Sequence, residues 1–285
     1  MGRRSLRPTI ADHRLAEICV KVDRAKKHLS DFEVELRAFL DSEPYKTGTK
    51  PDPKIPKAIK YYIVSAADPP LTLAAIAGDV VHNLRSALDH LAFHLVSVSK
   101  SQPGKKTGFP IFENSSEYEA QSHGKVKGMS TAAVEAIDRC KPYKGGNDAM
   151  WRLHELDIVD KHKSLFIAGV HVTSFIPPPL LRVGIMKALA AQEGWPINAS
   201  DAEIGAIPIT MPLSGGTCPL EVGHELWVPF DQVPDIPELK ENIQFTFDVA
   251  FNEAGIINGE SILKTLQDMV DLVENLILSF RPLLR

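Results

Sequence analysis

The sequence predicts an α+β fold in which a helical bundle of about four long helices receives a β-rich, mostly antiparallel insertion before the C-terminal helix. Apolar residues recur at spacings of three and four over about residues 10–42, 73–98 and 262–280, which is the helical period. Asn147 or Asp148 can cap a fourth helix that runs to about residue 161.

The composition changes after this point of the chain. Between residues 164 and 253, prolines, glycines and β-branched runs dominate, in the strings LFIAGVHV, IGAIPITM, ELWVPF and IQFTFDVAF. This pattern favours four to six strands with short connections. We therefore predict three regions: a bundle core over 1–163, a β-rich insertion over 164–255, and a C-terminal helix over 256–285 that packs back on the bundle.

The shorter elements follow from local composition. Prolines and lysines predict a loop over residues 44–57. Four further elements are expected: a strand over 58–65, an extended FPIF segment over 109–112, and helices over about 116–122 and 130–139.

Composition and charge restrict the function classes. The chain has 285 residues and a net charge of −4, so it has no overall attraction to nucleic acid, although a local basic site is compatible with this value. The three cysteines (Cys19, Cys140 and Cys218) are far apart and form no CxxC pair, which argues against a thiolate zinc site and favours a reduced, cytoplasmic compartment. No stretch has the roughly 18–20 apolar residues of a membrane helix, so we expect no membrane association.

The helix over residues 73–98 has an unusual polar face. A helical projection places an apolar core stripe on one side, formed by Val80, Leu84, Leu88, Leu91 and Leu95. The other side carries a polar row of Asp79, Asn83, Ser86, His90 and His94. Solvent-facing helix positions are usually Glu or Lys, which this row lacks. The row is therefore either a functional site or a set of hydrogen-bonding groups that holds the bundle together.

The string from Arg85 to His90 has the form R-x4-H, which resembles the signature of the HEPN superfamily. That superfamily consists of small α-helical domains found in toxins, abortive-infection systems and CRISPR-associated ribonucleases. The resemblance implies a metal-independent ribonuclease, in a bacterial defence or stress setting, that acts on RNA as a homodimer without a cofactor. It would make His90 the general acid or base and Arg85 the phosphate ligand, with Asn83 or Asp89 orienting them. On a straight helix Arg85 lies about 140° from His90, so their convergence needs a distortion or a second protomer.

A second group of polar residues lies in the string WRLHELDIVDKHK. Asp157 and Lys161 are spaced for an i,i+4 ion pair. In a functional interpretation Asp160 and His162 face the polar row, while Lys161 and Lys163 neutralise a phosphate. This string and HNLRSALDHLAFHL are together similar to a group of uncharacterised bacterial proteins, which adds no chemistry.

Two alternatives to a ribonuclease remain open at this stage. In the first, the protein is a non-catalytic ligand-binding or interaction protein whose polar helix face is structural. In the second, it is a metal-dependent hydrolase, since His90 and His94 are spaced as a metal pair that Asp157 could complete. Neither an HExxH motif nor a pair of Glu-x-x-His motifs is present, so the first expectation is that the site holds no metal.

Overall fold

The computed structural model describes residues 9–54, 59–207, 211–212, 220–226 and 243–285, and it has the predicted α+β fold. The helices are α1 (Ile10–Asp41), α2 (Leu71–Val98), α3 (Ser115–Val126), α4 (Thr131–Arg139), α5 (Asp148–His162), α6 (Pro179–Glu193), α7 (Asp201–Ala206) and α8 (Ile262–Ser279). The strands are β1 (Tyr45–Pro51), β2 (Ile59–Ala66), β3 (Ile167–Ile176), β4 (Met211–Pro212), β5 (Glu225–Leu226), β6 (Gln244–Glu253) and β7 (Ile257–Ser261).

Helix α2 is the centre of the bundle, since it packs against α1, α5 and α8. The predicted core stripe of α2 is fully buried, from Val80 to Leu95. Helix α1 begins at a capping box in which Thr9 and Asp12 satisfy each other's backbone N–H groups. The bundle of four long helices is thus confirmed, and α2 presents one polar side to α5.

The strands form two sheets in which every described ladder is antiparallel, as predicted. Their orders are β1-β2-β5 and β4-β3-β6-β7. Ile167 of β3 and Phe251 of β6 are partners in the ladder, and both side chains belong to the same hydrophobic core as the helices. The second sheet therefore packs on the bundle through its central strands. The division of the chain into three regions stays a prediction.

Two sequence expectations are wrong in this part of the chain. The segment 44–57 contains β1, whose backbone pairs with β2 from Tyr45 to Pro51. Helices α6 and α7 lie inside the segment that we predict to be β-rich. Helix α6 has Pro179 in its first turn and ends at Gly194 with a left-handed φ of 70°, which are common helix boundary signals that outweigh the composition.

Several predicted strand residues lie outside the described residues. They are residues 227–230 of ELWVPF and residues 208–210 of IGAIPITM; Cys218, singled out as one of the three cysteines, also lies outside them. Among the helices that the structure does describe, none combines the length and the apolar character that a bilayer span requires.

Candidate functional site

Arg85 is buried between α2 and α5, where all three of its guanidinium nitrogens donate hydrogen bonds to protein acceptors. The acceptors are Asp89 Oδ1 at 2.7 Å, His154 Nδ1 at 3.2 Å and the carbonyl oxygen of Phe109 at 3.0 Å. Only 5% of the residue is exposed. The guanidinium therefore joins α2, α5 and the FPIF segment, and its cost of burial is offset by these charge-assisted bonds.

Asp89 links this buried arginine to the protein surface. Its Oδ1 accepts from both Arg85 and the backbone N–H of Phe109, at 2.9 Å for the latter. Gly108 leaves the space for this contact, because a Cβ there would stand 2.8 Å from Asp89 Oδ1. The FPIF segment is thus held to α2 by one carboxylate, while the side chain of Asp89 stays 45% exposed.

The partner of Arg85 on α5, His154, is kept neutral. Burial, reinforced by the positive charge of Arg85, lowers the pKa of His154 from its ordinary 6.5 to about 4. A neutral imidazole with its lone pair at Nδ1 can accept from Arg85, whereas a protonated one cannot.

This shift predicts a pH dependence of folding. Between pH 6.5 and about 4, His154 is protonated in the unfolded chain but stays neutral in the folded chain. The contribution to stability is therefore complete above pH 6.5 and is lost as the pH falls through this window. We expect urea unfolding of the His154→Gln variant, which keeps an acceptor but does not titrate, to show a flatter decline in unfolding free energy below neutral pH. An unchanged slope would contradict this assignment.

An open groove of about 500 Å³ lies beside this network on α2. Its lining residues are Glu17, Asp89, His90, Phe93, His94 and Thr107. His90 is exposed, and within the described residues its ring forms no hydrogen bond. His94 lies one turn further along α2, with its Nε2 3.2 Å from Glu17 Oε2. Burial lowers the pKa of His94, although Glu17 opposes the shift, so this imidazole is neutral at neutral pH.

Phe93 completes one wall of the groove with an exposed ring. The ring is 51% exposed and meets His94 edge to face, with the ring centroids 5.7 Å apart. An aromatic face that is open to solvent beside two imidazoles can stack on a planar ligand.

A second cluster connects α2 and α5 further toward the start of α2. Asp157 is buried and accepts from Lys161 Nζ at 2.5 Å, while its other oxygen lies 3.1 Å from His82 Nδ1. The predicted ion pair between Asp157 and Lys161 is confirmed. Asp160 packs on the backbone of α2 at Gly78, where a Cβ would stand 2.1 Å from Asp160 Oδ1. Burial and the nearby carboxylates of Asp79 and Asp157 raise the pKa of Asp160.

The other residues singled out from the sequence are separated by the fold. Asn83 is buried and donates from its side chain to the carbonyl of Asp79 within its own helix. Lys163 pairs with Glu253 of β6 at 3.2 Å, and His162 is exposed at the end of α5. The structure therefore brings Asp89, His90 and His94 to one groove, and it holds Arg85 behind that groove.

The three residues that the sequence offers as metal ligands, His90, His94 and Asp157, have different surroundings in the structure. Asp157 bonds to His82 and Lys161, whereas His90 and His94 line the groove. Within the described residues, no group of three or more His, Cys, Asp or Glu side chains is placed to hold a metal ion.

Sequence reasoning missed three parts of this site. It did not find the pairing of His82 with Asp157, the role of the Phe109 carbonyl, or the contribution of Glu17 and Thr107 to the groove. Each depends on elements that are far apart in the chain. A local signal existed for a different contact: Gly78, a small residue inside a helix and beside the polar row, indicates the close packing of α5 on α2 at Asp160.

Comparison of the chain with protein-family models, with curated proteins and with solved structures finds no match.

Proposed function

We propose that the protein is a HEPN-like, metal-independent endoribonuclease whose reaction takes place in the groove beside α2. The observation that supports this best is that His90 and His94 line the same open groove. Cleavage of RNA without a metal needs two proton transfers, and imidazoles are the side chains that perform them near neutral pH.

The chemistry proceeds by attack of the ribose 2′-oxygen on the adjacent phosphorus. The 2′-hydroxyl proton passes to one imidazole, the bond from phosphorus to the 5′-oxygen breaks, and the leaving oxygen takes a proton from a second group. The products are a 2′,3′-cyclic phosphate and a 5′-hydroxyl. We assign the transfers to His90 and His94; burial lowers the pKa of His94, which favours its neutral form as an acceptor for the 2′-hydroxyl proton.

Arg85 has a different role in this proposal from the one that the R-x4-H resemblance implies. All three of its nitrogens donate within the protein, so it is a positioning residue that fixes Asp89 at the edge of the groove. Phosphate binding must then come from cations at the rim. Asn83 is likewise buried, and it positions the α2 backbone.

The test is cleavage of a single-stranded RNA in the presence of EDTA. We expect His90→Ala to lower the cleavage rate by about 10²–10⁴-fold, the usual contribution of a general acid or base. The control is the same substitution, His224→Ala, at a half-buried histidine next to β2, where the backbone carbonyl of His224 accepts from the N–H of Ile63. The melting temperature of His90→Ala should match that of the wild type because the side chain is exposed. Undiminished cleavage by this variant would exclude the proposal.

A second candidate function is supported by the burial of Arg85 and Asp157. Here the protein is a non-catalytic ligand-binding or interaction protein, and the polar face only fixes α5 and the FPIF segment to α2. It predicts that purified protein does not cleave RNA, while Arg85 variants still unfold more easily.

The homodimer and the defence setting that the resemblance implies are part of the first proposal; light scattering tests the dimer.

A further inference from the structure

Two segments next to the groove, a loop after α2 and the end of α3 with the loop that follows it, are strongly basic although the whole chain is acidic. Residues 99–108 and 124–130 contain five lysines and neither Asp nor Glu, whereas the net charge of the chain is −4. The lysine cluster consists of Lys100, Lys105, Lys106, Lys125 and Lys127. All are exposed except Lys125, which is half-buried.

The fold brings the two segments together. The backbone N–H of Gly108 donates to the carbonyl of Lys125 at 3.4 Å. A Cβ on Gly128 would stand 2.9 Å from the Cβ of Ser101, so the backbones also approach closely at a second point. The positive charges of both segments therefore belong to one surface.

A tight turn displays two of these lysines at the rim of the groove. The N–H of Thr107 donates to the carbonyl of Gly104 at 3.0 Å, and the Thr107 hydroxyl accepts from the N–H of Gly104 at 2.9 Å. Lys105 and Lys106 occupy the two central positions of this turn. Because Thr107 itself lines the groove, the turn that carries both lysines borders it.

The positive charges of the lysine cluster are not paired with acidic side chains of the described residues. None of its five lysines forms an ion pair within the part of the chain that the structure describes. Other lysines of the protein do have acidic partners, as in the pairs of Lys27 with Asp31 and Lys60 with Glu225. Closely placed, unpaired ammonium groups repel each other and bind polyanions well, because binding releases the counterions of the polymer.

We propose that the lysine cluster binds the phosphate backbone of single-stranded RNA and leads it into the groove. This inference rests on the proposed function, to which it adds the phosphate ligands that Arg85 does not provide. A single strand fits better than a duplex, since the exposed ring of Phe93 can stack only on an unpaired base.

The experiment measures binding of a fluorescent 2′-O-methyl RNA oligonucleotide, which lacks the attacking hydroxyl and is not cleaved, by anisotropy at several salt concentrations. The Lys105→Gln/Lys106→Gln variant should bind about tenfold more weakly at low salt. The slope of log affinity against log salt should become shallower by about 1.4, for two lost phosphate contacts on a single strand. The control variant is Lys46→Gln/Lys264→Gln, which changes the net charge equally and removes two exposed lysines on β1 and α8 that pair with no acidic group among the residues the structure describes.

The outcomes separate this inference from the proposed function. Equal RNA affinity and salt slope in the two double variants would overturn the lysine cluster as the binding surface, even if the wild type cleaves RNA. Binding of the wild type to anionic vesicles but not to RNA would also overturn it. If the Lys105/Lys106 variant alone loses RNA affinity while the wild type cleaves no RNA, the binding surface is supported and the ribonuclease proposal fails.

Discussion

Replacing Arg85 by methionine is expected to lower the free energy of unfolding by about 3 kcal/mol. The change removes a buried donor on which several acceptors depend. Methionine keeps much of the side-chain volume but leaves His154 Nδ1 and the Phe109 carbonyl without their donor. Asp89 is affected less, since it is partly hydrated and retains the Phe109 N–H. Arg85→Lys should recover little of the loss, because one ammonium cannot reach three acceptors in different directions.

Urea unfolding followed by circular dichroism measures this loss. The matched control is Arg37→Met on α1, which removes an exposed i,i+4 pair with Glu33 and should change stability by less than about 0.5 kcal/mol. If Arg85→Met lost no more stability than the control variant, the buried hydrogen bonds would make no net contribution to stability. Cleavage by Arg85→Met, measured well below its melting temperature, then tests whether the fixed position of Asp89 matters for activity.

Replacing Asp157 by asparagine is expected to lower the free energy of unfolding by about 2 kcal/mol. The carboxylate is 1% exposed. It accepts one charge-assisted hydrogen bond from Lys161 within α5 and a second from His82 of α2. Asparagine has the same shape, but it lacks the charge and turns either an N–H₂ group or a weaker acceptor toward Lys161. The expected loss is smaller than for Arg85 because Lys161 and His82 are each about half exposed and regain water.

Chemical denaturation of Asp157→Asn should be compared with that of Asp31→Asn. Asp31 forms an i,i+4 pair with Lys27 in the opposite chain order, but both side chains are exposed, so its loss should cost less than about 0.5 kcal/mol. Equal stabilities of the two variants would mean that burial adds nothing to the Asp157 pair. A larger loss in His82→Ala than in Lys161→Ala would identify the contact between α5 and α2 as the more important of its two bonds.

Much of the fold could be predicted from local patterns. The long helices α1, α2 and α8 follow from apolar residues at the helical period, and α5 follows from its Asn147 cap. Strand β1 could not be predicted in this way, because its pairing with β2 uses backbone groups that any residue has. Helix α6 is a different case: the sequence contained Pro179 and Gly194 as boundary signals, and the β-branched composition around them obscured these signals.

The sequence singled out three residues that line the candidate groove, Asp89, His90 and His94, but it did not predict their arrangement or the other residues of the groove. A helical projection groups His90 and His94 and separates Arg85 from them, and the structure agrees on both points. The projection cannot tell which side of α2 another helix covers. Arg85 is buried because α5 and the FPIF segment meet there, and the lysine cluster forms because the loop after α2 meets the end of α3 beside Thr107.

The sequence by itself thus determined the α+β class, the apolar stripe of α2 and the unusual polar row on that helix. These features depend on the helical period and on residue type, which are local properties. Only the tertiary structure decided which polar groups are enclosed and which are open to solvent. Burial depends on the neighbours that residues distant in the chain supply, and it encloses Arg85 and Asp157 while it leaves His90 exposed in the groove.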